Sequence, residues 1–331
     1  PDIWVMDPGV QFVEESKPIR DIELLRVRSI TGVKWAVPII KALVTAKMPD
    51  GTQSTVDITG YDDSTLIGAP YRILEGNIND FRRPDAIFVD QDAANTRLRV
   101  TNKDGTTRAL RVGDALELND RRAIVVCIVK MTRNFVLQPP IYTTYSNASE
   151  YIPSSRKKMS FVLVKAQGNV EHHTLANKIG QITGLKALTS ADFKQTNLDY
   201  WMNNTGIPIN FGISVILGFI VGAAIAGQTF YGFVLENLKH YAVLKAMGIS
   251  NIKLIKIVLL QALTVGFIGY GIGVGITTIF GLNLQDSVLA FRMPPVLLLF
   301  AAAGVFIIIS VSALVAIRGV IKVDPSSVFR G

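Results

Sequence analysis

The sequence predicts two domains of different class: an α+β domain outside the membrane, then an all-α membrane domain of three transmembrane helices. Three observations carry this. Of 331 residues 49% are apolar but only 18% are charged, well under the ~25% usual for soluble chains. The charges are also divided unevenly, since residues 1–206 hold 26 of the 34 basic and 23 of the 26 acidic residues. Finally, the remainder contains three uncharged runs, Ile207–Leu235, Ile257–Gln285 and Met293–Ile317, of 29, 29 and 25 residues, each longer than the ~20 apolar residues that cross a bilayer core.

The first half reads as mixed α and β. Ile22–Ile30 is a helix, followed by a hairpin whose arms are Gly32–Lys47 and Ser54–Gly60 around the turn Pro49-Asp50-Gly51. Ala86–Asp90, Arg108–Val112, Ala115–Leu118 and Ala123–Met131 are short strands, expected to form a small β-subdomain inserted over 61–157. Phe161–Ala166 is a strand leading to a helix with Leu175, Ile179 and Ile182 at helical spacing. The helix before the insertion and the strand–helix after it suggest a split βαβ layer, which places a core domain over 1–190. From Ser190, a candidate cap, a stalk helix over 191–206 carries Phe193, Tyr200 and Trp201 on one face. Tyr200 and Trp201 suit a membrane aromatic belt and ordinary packing equally.

The second half, 207–331, holds spans predicted at 207–235, 257–282 and 294–317. Lys239, Lys245, Lys253 and Lys256 lie between the first two, and Arg318, Lys322 and Arg330 follow the third, against only Arg292 in the short loop between spans two and three. The positive-inside rule therefore places 236–256 and the C-terminal tail in the cytoplasm and residues 1–206 outside. Because the chain opens on Pro1 without a signal-type segment, an upstream membrane helix is expected to deliver the external half.

Catalytic and cofactor motifs are weak. There is no GxxxxGK[ST] phosphate loop, so no ATP or magnesium is expected on this chain itself. Adjacent His172 and His173 diverge on a helix and lack companion ligands, so a solvated helix start is the better reading and no metal site is expected. Cys127, in an apolar strand, reads as a small core residue and cannot form an internal disulfide. The net charge of +8 is scattered rather than gathered into a stripe, which argues against nucleic acid. Within the spans no ionisable residue sits at mid-depth, against an ion-coupled carrier. The pairs Gly218/Gly222, Gly269/Gly273 and Gly271/Gly275 read as helix-packing surfaces.

The most informative segment is Glu236-Asn237-Leu238-Lys239-His240-Tyr241-Ala242-Val243-Leu244-Lys245-Ala246-Met247-Gly248. It predicts a short helix ended by Gly248, with Leu238, Tyr241, Val243, Leu244 and Met247 pointing in several directions, as a helix with contacts on more than one side would.

This loop and its basic sequel resemble the corresponding loop of FtsX/MacB-type ABC permeases. Gly32-Val33, Leu74-Glu75-Gly76-Asn77, Val112-Gly113-Asp114 and Val125–Val129 are similar to landmarks of that family's periplasmic core domain, and Ala316-Ile317-Arg318 and Asp324–Arg330 to its C-terminal signature. Lacking a fused ATPase, the chain looks closest to the DevC branch. The family has four spans where three are legible here, so a fragment or trimmed product without the first span is expected.

The resemblance implies a non-catalytic bacterial inner-membrane permease working by mechanotransmission. ATP and Mg would be bound by a separate cytoplasmic ABC ATPase, to which Glu236, Leu238, Lys239, Tyr241, Leu244, Lys245, Met247 and Gly248 would couple. Its other implied partners are a second permease copy, a periplasmic membrane-fusion adaptor and an outer-membrane duct. A lipoprotein-releasing permease and a regulatory scaffold controlling an external hydrolase are the alternatives on the same scaffold.

Overall fold

A computed structural model describes residues 1–102, 104–131, 138–153, 159–283 and 293–321, the side chains of 316–321 excepted. The C-terminal signature Asp324–Arg330 and the loop charges Asp286 and Arg292 lie outside the described residues. Two compact units meet at Thr205/Gly206.

In the first unit the strands are β1 (Ile3–Met6), β2 (Val33–Lys47), β3 (Gln53–Tyr61), β4 (Ile73–Gly76), β5 (Ala86–Asp90), β6 (Val100–Thr101), β7 (Thr107–Arg108), β8 (Ala115–Leu118), β9 (Arg121–Val129), β10 (Pro140–Thr144), β11 (Phe161–Ala166) and β12 (Lys186–Thr189). Its helices are α1 (Asp21–Arg28), α2 (Gln91–Asn95), α3 (Tyr145–Tyr151), α4 (His172–Thr183) and α5 (Ser190–Asn204).

The order β12-β1-β11-β2, with β11 antiparallel to both β1 and β2, interleaves the units β1-α1-β2 and β11-α4-β12. This is the split βαβ layer expected from the sequence. Side chains alternate across it as the two-residue period requires. Ile3, Val5, Val162 and Val164 face Val27 of α1 and Leu175 and Ile179 of α4, while Trp4, Met6, Phe161 and Leu163 face Phe193 of α5. The third residue of that spacing, Ile182, is instead 46% exposed in the last turn of α4.

Of the strands within 61–157, β10, β5, β9 and β4 continue the same ten-stranded sheet beyond β3, β8 pairs with both β9 and the far end of β2, and β6 and β7 pair with each other. The path β2-β3-β10-β5-β9-β8-β2 therefore closes into a ring that borrows the long hairpin β2–β3. Closure removes free strand edges and encloses Val44, Val56, Ile58, Ile87, Leu116, Leu118, Val125 and Ile141 in one apolar cluster.

Two local expectations change for identifiable reasons. Arg108–Val112 pairs as a strand only at Thr107–Arg108, because the Asp114 carboxylate accepts both Arg108 guanidinium nitrogens and the Arg111 amide and draws the chain into a turn. At α5 the cap is Thr189, whose hydroxyl accepts the Asp192 amide, whereas the Ser190 hydroxyl donates to the Pro1 carbonyl.

Glu171 caps α4, accepting the His173 and Thr174 amides at 3.0 and 2.5 Å. Bonding from Thr174, through side chain and backbone, and from the His173 amide holds its carboxyl down to about 2. A depressed carboxylate contributes stability above its ordinary value, and that contribution is lost as pH falls through the folded value. Loosening of the first turn of α4 is therefore expected only near pH 2. An NMR titration of the His173 and Thr174 amides checks this, and a midpoint near 4.5, the ordinary value, would contradict it.

The second unit contains α6 (Ile207–Glu236), α7 (Leu238–Ala246), α8 (Asn251–Asn283) and α9 (Pro295–Ile321). Three of these helices are long and apolar enough to cross a membrane, and they leave large apolar side chains such as Phe211, Phe267 and Leu299 mostly exposed. Lipid is the medium in which such a surface costs nothing.

Among the described residues of this chain, the close helix approaches fall at other glycines than the six expected, since a Cβ added at Gly218, Gly222, Gly269, Gly271, Gly273 or Gly275 would meet none of them within 4 Å. The tight contacts are at Gly266, against Ile309 of α9, and Gly304, against the Phe219 ring of α6. Spacing marks a smooth helix face, whereas the neighbour's position decides which glycine it touches. Gly304→Leu is thus expected to lower the melting temperature of the chain in micelles, overpacking costing about 1–3 kcal/mol. Gly271→Leu should leave it unchanged, and equal effects would return the packing role to Gly271/Gly275.

Candidate functional site: the helix between the first two spans

The site begins where α6 stops. The Asn237 side-chain amide donates to the Phe233 carbonyl at 2.8 Å, and its backbone leaves helical geometry for one residue. α7 then starts at once, with the Tyr241 amide bonded to the Asn237 carbonyl at 3.2 Å.

The end of α7 is built as the sequence requires. Gly248 sits at φ +88°, a left-handed conformation that other residues rarely adopt. The Gly248 amide donates to the Lys245 carbonyl at 3.0 Å and the Ile249 amide to the Leu244 carbonyl at 3.1 Å. These paired bonds are a Schellman closure, completed by Leu244 and Ile249 entering the same apolar cluster. Ser250 follows, its carbonyl accepting the Lys253 and Leu254 amides as α8 begins. Lys253 and Lys256 lie exposed in the opening turns of α8, where positive charge opposes the helix dipole. Helix stability does not explain their presence, so another role must.

The structure sorts the apolar residues of α7. Tyr241 and Ala242 are buried, Tyr241 in a cluster with Val234, Leu254, Val258 and Ile309, and the Tyr241 hydroxyl lies 3.3 Å from Gln261 Oε1. Leu238, Leu244 and Lys245 are half-buried. The opposite face presents Val243 (42% exposed) and Met247 (67% exposed), with Glu236, Lys239 and His240 beside them.

Of the eight residues expected at a coupling surface, Glu236, Lys239, Met247 and Gly248 are exposed. Tyr241 anchors the helix to its own bundle, and Leu244 closes its end. His240, and Val243, which the sequence marks as an apolar contact but not among the eight, share the outward face with Met247. Their spacing of three and four residues was the available signal.

The other candidates have structural partners. His172 Nε2 lies 3.7 Å from Asp2 Oδ2 and His173 Nδ1 3.2 Å from Asp192 Oδ2. Cys127 is buried, its thiol donates to the Asn77 carbonyl at 3.3 Å, and burial pushes that thiol up to about 11. A thiol so protonated is a poor nucleophile.

Residues 207–325 match the family model FtsX-like permease C-terminal. This half of the chain is an FtsX-like permease domain. The chain is also 25% identical over 326 residues to the uncharacterized ABC transporter permease Rv0072 of Mycobacterium tuberculosis, covering 96% of this chain and 80% of that one. Two solved structures are similar to part of the chain. They are the extracellular domain of the noncanonic ABC-type transporter YknZ from Gram-positive bacteria (12% identity, TM-score 0.40, 57% of this chain and 97% of that one) and the periplasmic region of MacB from Actinobacillus actinomycetemcomitans (13%, 0.42, 59% and 91%). Residues 207–325 thus carry an FtsX-like permease domain, and over nearly its whole length the chain is similar to an ABC transporter permease.

Proposed function

We propose that this permease is the membrane subunit of an inner-membrane exporter working by mechanotransmission. A separate ATPase, holding ATP and magnesium, docks on the outward face of α7, and its closure moves the spans and, through them, the external domain of residues 1–205. The observation that carries this reading is α7 itself. The helix is fixed to its own bundle by Tyr241 and ended rigidly at Gly248, yet it turns Val243 and Met247 outward between basic residues. Anchored on one face and open on the other, it suits a contact that must pass on displacement rather than absorb it.

In this reading 236–256 and the C-terminal tail face the cytoplasm and the sheet domain faces the periplasm. There it would meet a membrane-fusion adaptor leading to an outer-membrane duct, and a second permease copy completes the pump. The smooth faces at Gly218/Gly222 and Gly269/Gly273 leave room for that copy. Positive charge on the sheet domain is a poor guide to the adaptor surface, because Arg82 is engaged with the Asp63 and Ser64 carbonyls, Arg83 with Asp80 and Arg121 with Glu150.

The test is isolation of the full-length permease in nanodiscs with its co-encoded ATPase. Hydrolysis that rises on association is expected there, and in intact cells cysteines at Asn251 and Asp50 should label from opposite sides of the membrane in a Cys127→Ser background. Labelling of both from outside, or an ATPase that neither binds nor responds, would sink the proposal.

A further inference from the structure

The segment Gln11–Val13 does more than connect β1 to α1. Of α5, only Phe193, in its first turn, is fully buried among the described residues, so the last two turns project beyond the core that holds the first. A helical end of that length is marginal by itself. Here it is held by the loop: Phe12 stacks on Tyr200 with ring centroids 4.1 Å apart and planes at 20°, and meets Trp201 edge-on at 5.8 Å. The Val13 backbone amide donates to Asn197 Oδ1 at 3.2 Å, and the Asn204 side-chain Nδ2 reaches Gln11 Oε1 at 3.5 Å.

The loop is braced in turn. Lys17 Nζ donates to the Gly9 carbonyl at 2.7 Å and pairs with Glu15 at 3.0 Å, the Gln11 amide donates to Glu15 Oε2 at 2.8 Å, and Lys186 Nζ of β12 donates to the Val10 carbonyl at 2.8 Å. The aromatic pair offered to a membrane belt by sequence alone is therefore occupied by a residue nearly 190 positions away.

We infer that Gln11–Val13, with Phe12 as its key, is a splint that locks the projecting half of α5 to the sheet domain, making α5 a rigid strut where the chain enters the first span. The inference rests on the proposal that movement passes from the spans to the external domain. A frayed α5 would absorb that movement, whereas a splinted one hands it on. Phe12 is thus a positioning residue acting through Tyr200 and Trp201.

The test uses the full chain in nanodiscs with its ATPase, comparing wild type, Phe12→Ala and Phe12→Tyr. Loss of the stack should speed hydrogen exchange at amides of 198–204 by about tenfold, aromatic pairs being worth that much or more, with β2, β3 and β11 unaffected and Phe12→Tyr close to wild type. Spin labels at Leu74→Cys of the two copies, in a Cys127→Ser background, should show an ATP-dependent change in separation that Phe12→Ala reduces to less than about half, with hydrolysis continuing and Phe12→Tyr restoring it. Unchanged exchange in α5 would overturn the splint. Faster exchange with an undiminished ATP-dependent change would overturn its part in transmission. A wild type that shows no such change would count against mechanotransmission instead, the exchange data still deciding the splint.

Discussion

Met247→Asp is expected to separate the permease from its ATPase without harming the permease. Met247 is 67% exposed at the outward end of α7, so a carboxylate there disturbs little of the chain's own packing, and surface changes of this kind stay within about 0.5 kcal/mol. In the proposed interface the same residue is a central apolar anchor flanked by Val243, and such anchors commonly carry about 2 kcal/mol, or roughly 30-fold in affinity. Titration of the ATPase against the permease in nanodiscs should show that loss, with the melting temperature of the permease unmoved. Leu244→Asp is a different experiment, since Leu244 is half-buried against Ile249 at the helix closure. It should lower thermal stability as well as binding. Full affinity and stimulation in Met247→Asp would return α7 to a plain connecting turn.

The largest stability effect is expected at Lys41. Its Nζ lies 2.9 Å from Asp57 Oδ2 across the β2–β3 hairpin, the two side chains being only 12% and 14% exposed. Burial pushes the Asp57 carboxyl upward while Lys41 opposes that shift. Removing one partner of such a pair strands the other charge, which costs about 3–5 kcal/mol, or roughly 10 °C in a unit of this size. Lys41→Met should show this at pH 7. The double variant Lys41→Met/Asp57→Leu should recover most of it, because neither charge then remains buried. The sign with pH follows from the direction of the shift. A raised carboxyl favours the folded state when protonated and loses that contribution as pH climbs through its folded value. The deficit of Lys41→Met should therefore shrink as pH is lowered into the carboxylate range. All three tryptophans, Trp4, Trp35 and Trp201, lie in this unit, so tryptophan fluorescence of the full chain follows its unfolding alone. A deficit equal at pH 4 and pH 7 would contradict the uncompensated-charge account.

Much of this molecule is local and was legible as such. The three spans follow from length and the absence of charge. β5, β8 and β11 appear at the bounds their apolar runs predict, and α7 ends at Gly248 because no other residue takes φ +88° without strain. These features depend on residues within one or two turns of each other, and a sequence displays such neighbours directly.

What the tertiary structure decided involves partners far apart in the chain. The inserted strands were readable, but their closure with β2 through Ala46–Leu118 and Lys47–Glu117 was not. The glycine periodicity was readable, but contact falls to Gly266 and Gly304 because only the placement of α9 chooses which small residue is touched. The apolar residues of α7 and the pair Tyr200/Trp201 were equally visible, and each had two uses open to it. Packing resolved both, turning Tyr241 inward and Met247 outward and giving the aromatic pair to Phe12. Spacing along a chain specifies which residues share a face. What that face meets is set by contacts whose sequence separation carries no local signal.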